Sequence, residues 1–136
     1  MKPATLTAAA RRWGTPLFVY DAQAILERLE ALRGAFSRPV LVCYAMKANT
    51  NGAVCRTLAK AGAGADIVSG GELARALKAG FPAERVVFSG VGKTEEEMAA
   101  ALKAGVLAFN VESAEELDAL TRVAAGIGPN DTFIFF

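Results

Sequence analysis

The sequence predicts an α/β fold in which parallel strands alternate with helices, specifically the N-terminal half of a (β/α)8 TIM-type barrel. Three observations point there. A helix stop recurs in Leu58-Ala59-Lys60-Ala61-Gly62, Leu77-Lys78-Ala79-Gly80 and Leu102-Lys103-Ala104-Gly105, each ending in a glycine free to take the left-handed conformation that terminates a helix. After each stop comes an apolar run too short for a helix and suited to a buried strand: Ala65-Asp66-Ile67-Val68, Val86-Val87-Phe88 and Ala108-Phe109-Asn110-Val111. After each run comes a capping pair, Ser69 with Glu72, Thr94 with Glu97, and Ser113 with Glu116, the spacing of a capping box.

The elements follow in order. Thr15-Pro16 marks a boundary, and Leu17-Phe18-Val19-Tyr20 reads as a short strand. Asp21 caps a helix with Ile25, Leu26, Leu29, Leu32 and Phe36 on one face. The longest strand is expected over 40–46, and Asn51 caps the next helix, carrying Val54, Leu58 and Ala61. Strands over 65–68, 86–88 and 107–111 complete four parallel strands. The helices between them carry apolar residues at helical spacing, such as Leu73, Ala76 and Leu77, or Leu117, Leu120 and Ala124. A fifth strand is expected near the tail, Gly128 to Phe136. The lone Trp13 is expected to pack.

Strands joined by helices run parallel because the crossover returns the chain to the same end of the sheet. The choice is between a barrel and an open doubly wound sheet. Regular recurrence, with no glycine-rich phosphate fingerprint after the first strand, favours the barrel. A full barrel takes roughly 250 residues, so the 136 residues supply about half. The expected division is an N-terminal segment with its opening strand over 1–21 and a partial barrel over 22–136, breaking off near the fifth strand.

Composition narrows the function. With 53% hydrophobic residues the chain can bury a core, and a formal charge of +1 without a basic block disfavours nucleic acid and anionic membranes as partners. The apolar runs fall short of a membrane span, and Met1-Lys2-Pro3-Ala4-Thr5 lacks the apolar core of a secretory signal; a cytoplasmic protein is expected. Cys43 and Cys55 have the spacing of neither a disulfide framework nor a zinc site, and read as buried free thiols.

In a barrel the chemistry sits at the carboxyl ends of the strands. That rule selects Lys47 after the first strand, Asp66 and Ser69 at the second, Ser89 and Gly90 at the third, and Asn110 and Glu112 at the fourth. Only Lys47 is a strong nucleophile towards a carbonyl. Loss of solvent at the end of an apolar strand would favour its neutral amine, whereas the plainer reading is a surface lysine that ends a strand.

Tyr44-Ala45-Met46-Lys47-Ala48-Asn49 resembles the cofactor-lysine segment of the ornithine, diaminopimelate and arginine decarboxylases, the barrel class of pyridoxal-phosphate enzymes. Further stretches are similar in order and spacing: Gly14 to Asp21, Gly64 to Leu73, Phe88 to Thr94, and Phe109 to Ser113, so that the likeness runs from about Thr15 to Val123. The later segments resemble the diaminopimelate branch more than the ornithine branch. The resemblance implies a pyridoxal-phosphate-binding barrel in which Lys47 carries pyridoxal 5'-phosphate, with Asp66 and Ser89 beside the cofactor. Glu72 is a further candidate, though its place in a capping pair explains it without a site role. It also implies decarboxylation of a small amino acid, meso-diaminopimelate giving L-lysine, and a homodimer. An alanine-racemase-like enzyme and a non-catalytic cofactor-binding or regulatory module stand as alternatives.

Several family features have no counterpart in these 136 residues: there is no histidine, no glycine-rich phosphate loop, no glutamate for the pyridine nitrogen and no cysteine motif of a C-terminal β-domain. The tail also departs from the family's Arg-Val-Asn-Pro-like continuation, leaving open a shortened chain or an altered reading frame. The 136 residues alone are expected to be inactive.

Overall fold

The computed structural model describes residues 2–129 and 131–136. Met1 at the start and Asn130 within the tail expected to hold the fifth strand lie outside them. Its elements are α1 (Pro3–Trp13), α2 (Ala22–Gly34), β1 (Cys43–Ala45), α3 (Gly52–Lys60), β2 (Gly64–Ile67), α4 (Gly70–Ala79), β3 (Val86–Phe88), α5 (Glu95–Ala104), β4 (Ala108–Asn110), α6 (Ala114–Ile127) and β5 (Phe133–Phe135).

The strands form one sheet in the order β1-β2-β3-β4-β5, every neighbouring pair parallel. Strictly sequential order separates the two expected architectures, because a doubly wound sheet reverses its strand order at a switch point. Here consecutive helices α2 to α6 pack each on the next, so the crossovers leave their helices on one side of the sheet, as in a barrel wall.

The glycine stops behave as expected. Gly80 and Gly105 have φ of 97° and 74°, and the next residues, Phe81 and Val106, donate back to Ala76 and Ala101 at 3.1 and 3.2 Å, as in a Schellman motif. Ala63 does the same to Leu58 after Gly62, whose φ is 74°. Ala63, Phe81 and Val106 are all buried, so each stop also delivers an apolar anchor at the root of the next strand.

Alternation along the strands divides the two faces. Ala65, Ile67, Val86, Phe88 and Phe109 are buried, and the Phe88 and Phe109 rings stack with centroids 5.6 Å apart. The intervening row pairs Ala45 with Asp66, Asp66 with Val87, and Val87 with Ala108. Asp66 therefore belongs to the face opposite the main core.

Several expectations need correction. Leu17–Tyr20 is not a strand; among the described residues it pairs with no neighbour, and all four of its residues are exposed. The strand expected over 40–46 is regular only over Cys43–Ala45, and Met46–Ala48 is a 3-10 turn. Helix α1 was not foreseen, although Pro3 stands in its first turn, a position that suits proline. Trp13 is 66% exposed rather than packed, with the Arg12 guanidinium 4.9 Å from its ring. On α2 only Leu29 is buried while Leu32 remains exposed, and Phe36, also exposed, lies past the helix end at Gly34. The other expected strands hold within a residue or so at each end, and the tail strand is present as β5.

All three N-cap residues accept from the amide three positions on, but only Thr94 and Glu97 form a reciprocal box. Glu72 reaches one residue further back, accepting from Val68 N at 2.8 Å, and Glu116 likewise accepts from Glu112 N at 3.2 Å. Glu97 serves two helices: it accepts from Thr94 N at 3.1 Å and from Gly70 N, in the first turn of α4, at 2.7 Å. Those amides, Gly70 foremost, hold its carboxyl below the ordinary value near 4.5. A depressed carboxylate stabilises the fold above its unfolded-state pKa, and that contribution is lost as pH falls through the lower folded-state value. Glu97→Gln, which keeps an acceptor oxygen but loses the charge, should therefore destabilise by roughly a few tenths of a kcal/mol at neutral pH after solvent screening and by less in acid. Urea unfolding at pH 7 and near pH 3 checks this; an undiminished difference in acid would rule out the charged cap as its source.

Candidate active site

Lys47 sits at the carboxyl end of β1, in a turn pinned from both sides. Met46 is fully buried and its carbonyl accepts from Asn49 N at 3.1 Å. The Tyr44 hydroxyl donates to the Asn49 carbonyl at 3.0 Å, and Asn49 Oδ1 accepts from Asn51 N at 2.9 Å. Asn51 in turn caps α3 through Ala53 N and Val54 N. The backbone under Lys47 is thus fixed by burial on one side and a helix cap on the other.

The Lys47 side chain itself is exposed, and among the described residues it has no hydrogen bond or ion pair. This corrects the expectation of a desolvated amine, since the strand end buries Met46 and turns its neighbour outward. An aspartate at a strand end can accept a hydrogen bond or pair with Lys47, and here it does the first. Asp66 Oδ1 accepts from the Ser89 hydroxyl at 2.5 Å, and Ser89 Oγ accepts from Asn110 Nδ2 at 2.9 Å. One polar chain thereby crosses the carboxyl ends of β2, β3 and β4. The register explains it: Asp66 pairs with Val87, Ser89 lies two residues past Val87, and Asn110 two past Ala108, so the three side chains share one face.

Of the residues singled out, the structure brings together Asp66, Ser89 and Asn110. It commits one Glu72 oxygen to Val68 N, which shapes the turn after β2. Cys55 is buried and Cys43 half-buried, both free; burial pushes both thiols up, helped at Cys43 by the Asp66 charge.

Lys93 is the residue that sequence reading missed. Its side chain is fully buried, and Nζ donates to the carbonyls of Gly90 and Asn110 at 2.7 Å each and to Glu116 Oε1 at 2.5 Å. An ammonium has three donors, and all three are used. Nζ also lies 5.8 Å from the centroid of the Phe88 ring, within range of a cation–π attraction. A lysine just before an N-cap is a weak signal, because its partners come from the loop three residues before it and from a strand and a helix 17 and 23 residues after it.

Among the described residues no group of three acidic, histidine or cysteine side chains could hold a metal ion, and no helix is long and apolar enough to cross a membrane. A family described as the pyridoxal-dependent decarboxylases, pyridoxal binding domain, matches residues 22–133. The chain is 52% identical over 124 residues to the diaminopimelate decarboxylase of Aquifex aeolicus, covering 91% of this chain and 29% of that protein. Identity to the Neisseria meningitidis diaminopimelate decarboxylase is 51% over 120 residues, 88% of this chain and 30% of the relative. The chain thus spans under a third of the curated relatives it matches. The crystal structure of Helicobacter pylori diaminopimelate decarboxylase complexed with L-lysine superposes with a TM-score of 0.89 at 40% identity, over 95% of this chain and 33% of that one. With a sequential parallel sheet, a lysine at the end of its first strand and a match over most of its length, this chain belongs to the pyridoxal-dependent decarboxylases, in the region of their pyridoxal binding domain.

Proposed function

We propose that these residues form the lysine-bearing part of a pyridoxal-phosphate-dependent decarboxylase that converts meso-diaminopimelate to L-lysine. The observation that carries the reading is a primary amine, Lys47, held on a fixed turn at the carboxyl edge of the sheet and free of any partner among the described residues. Identity near 50% to diaminopimelate decarboxylases supports the substrate.

The donor set fits the cofactor. Condensation with an aldehyde needs an amine not already tied up as an ion pair, and Lys47 meets that need. Asp66, Ser89 and Asn110 supply a carboxylate, a hydroxyl and an amide on one face of the sheet. Pyridoxal phosphate, when bound, supplies an electron sink for the charge left as carbon dioxide departs. Lys47 Nζ would hold it and, once displaced by the substrate amine, would carry a proton to or from the reacting carbon. Asp66 fixes the Ser89 hydroxyl by accepting its hydrogen bond, which leaves the Ser89 lone pairs to Asn110 and to a group of the bound molecule. Glu72 acts on this site through the turn it holds at Val68. On this reading residues 1–21 are an N-terminal segment, 22–136 belong to the barrel, and the enzyme works as a cytoplasmic homodimer.

Incubation with pyridoxal phosphate, borohydride reduction and peptide mapping of the protein carrying this sequence should place the label on Lys47. Label on Lys60, Lys78, Lys93 or Lys103 instead would remove the central assignment. Carbon dioxide release from meso-diaminopimelate tests the substrate separately.

A further inference from the structure

We propose that Lys93 is a positioning residue, a buried clamp that sets the spacing between the carboxyl ends of β3 and β4 and so holds the Ser89–Asn110 pair in place. The inference rests on the cofactor-site reading above. Lys93 Nζ takes the carbonyl of Gly90, one residue past Ser89, and the carbonyl of Asn110 itself. It thus joins the backbones beneath both members of the pair, while the side chains meet above at 2.9 Å. The third donor ends on Glu116, whose other oxygen accepts from Glu112 N. The clamp therefore extends from the β3 turn through the end of β4 to the first turn of α6.

The turn that carries it is closely packed. Gly90 has φ of 86°, and a Cβ there would meet the Val68 side chain at 3.0 Å. The Gly90 backbone thus lies against the residue that follows β2, the strand that carries Asp66. With the Lys93 side chain fully buried, water cannot replace the ammonium, and its loss would take this donor from the Gly90 and Asn110 carbonyls and from Glu116 Oε1. Displacements well under the width of an atom matter for groups that orient a reacting molecule. A fixed cation is a means of preventing them.

Stability and positioning can be separated. Lys93→Met leaves Glu116 buried without its partner, whereas Lys93→Met with Glu116→Leu leaves no unpaired charge, a replacement often close to neutral for folding. The measurements, on the full protein carrying this sequence, are the thermal midpoint, the dissociation constant for pyridoxal phosphate from absorbance titration, and kcat. The expected result is that the double variant recovers part of the midpoint lost in Lys93→Met, the unpaired charge being gone while the two carbonyls still lack a donor, yet binds pyridoxal phosphate about tenfold more weakly than the parent. Glu116→Gln, which keeps Lys93 and the shape of the site, should shift affinity in the same direction and carries the test should the others fail to fold.

A cycle with Asn110→Ala gives the second criterion. Because Lys93 acts through Asn110, combining Lys93→Met and Glu116→Leu with Asn110→Ala should lose little more affinity than the larger change alone. Parental affinity in every folded variant, or fully additive losses, would overturn the positioning role. A parent protein that fails to take up pyridoxal phosphate would instead overturn the functional reading, and this inference with it.

Discussion

Lys47→Ala in the protein carrying this sequence should abolish covalent retention of pyridoxal phosphate and lower decarboxylation by roughly 10⁴-fold or more, the scale of losing a residue that bonds covalently in the reaction. The fold should not change. Lys47 is exposed and, among the described residues, takes part in no hydrogen bond or ion pair, so alanine removes nothing that holds the turn. Met46, Tyr44 and Asn49 do that work, and the thermal midpoint should stay within the small range typical of a surface substitution. Lys47→Arg separates charge from nucleophilicity: it keeps a cation at the same place but offers no amine able to condense with an aldehyde. It should be as inactive as alanine. An arginine variant retaining a substantial share of the activity would mean that Lys47 acts as a charge only, and the covalent role would be lost.

The elements with a local cause were legible in the sequence. Each helix stop needed only a glycine and the apolar residue after it, and each helix start only a side chain that accepts from an amide three positions on. The sheet order followed from repetition of that unit. What was not legible depends on groups far apart in the chain. Glu97 caps α4, which begins 27 residues earlier, and no local pattern announces that. Lys93 finds acceptors on three different elements, and a reading that treats each element separately sees only a lysine before a cap. Lys47 shows the opposite failure. Its position was readable, but its surroundings were not, because burial at a strand end depends on which way a single turn points. For Asp66 the sequence suggested an acidic residue at a strand end; only the register between strands made Ser89 its partner rather than Lys47.

The 136-residue chain expressed by itself should associate at micromolar concentration and release no measurable carbon dioxide from meso-diaminopimelate. Among the described residues both outer strands of the sheet, β1 and β5, have a neighbour on one side only, and open edges of parallel strands are templates for pairing with another chain. Every residue of β5 is exposed, and Phe133, Ile134, Phe135 and Phe136 are 60, 49, 58 and 82% accessible. Such a run, without charge or proline, is the kind that pairs between chains. At the opposite edge, a groove of about 670 Å³ opens beside β1, lined by apolar residues including Leu29, Leu32, Val42, Val54 and Leu58. With Phe18 88% exposed nearby in the sequence, the chain carries unpaired apolar surface at both ends of its sheet, a liability for a monomer. Activity fails for a separate reason: Lys47 could capture an aldehyde, but the 136 residues contain no histidine and no glycine-rich phosphate loop, so little would hold the cofactor against water. Ile134→Lys, which puts a charge on the β5 edge, should shift the population towards smaller species, as edge lysines do in native sheets. Size-exclusion chromatography with light scattering reads the first claim, and a carbon dioxide assay with added pyridoxal phosphate reads the second. A parental chain that runs as a monomer and turns over substrate would show that one sheet with five strands suffices for both folding and catalysis.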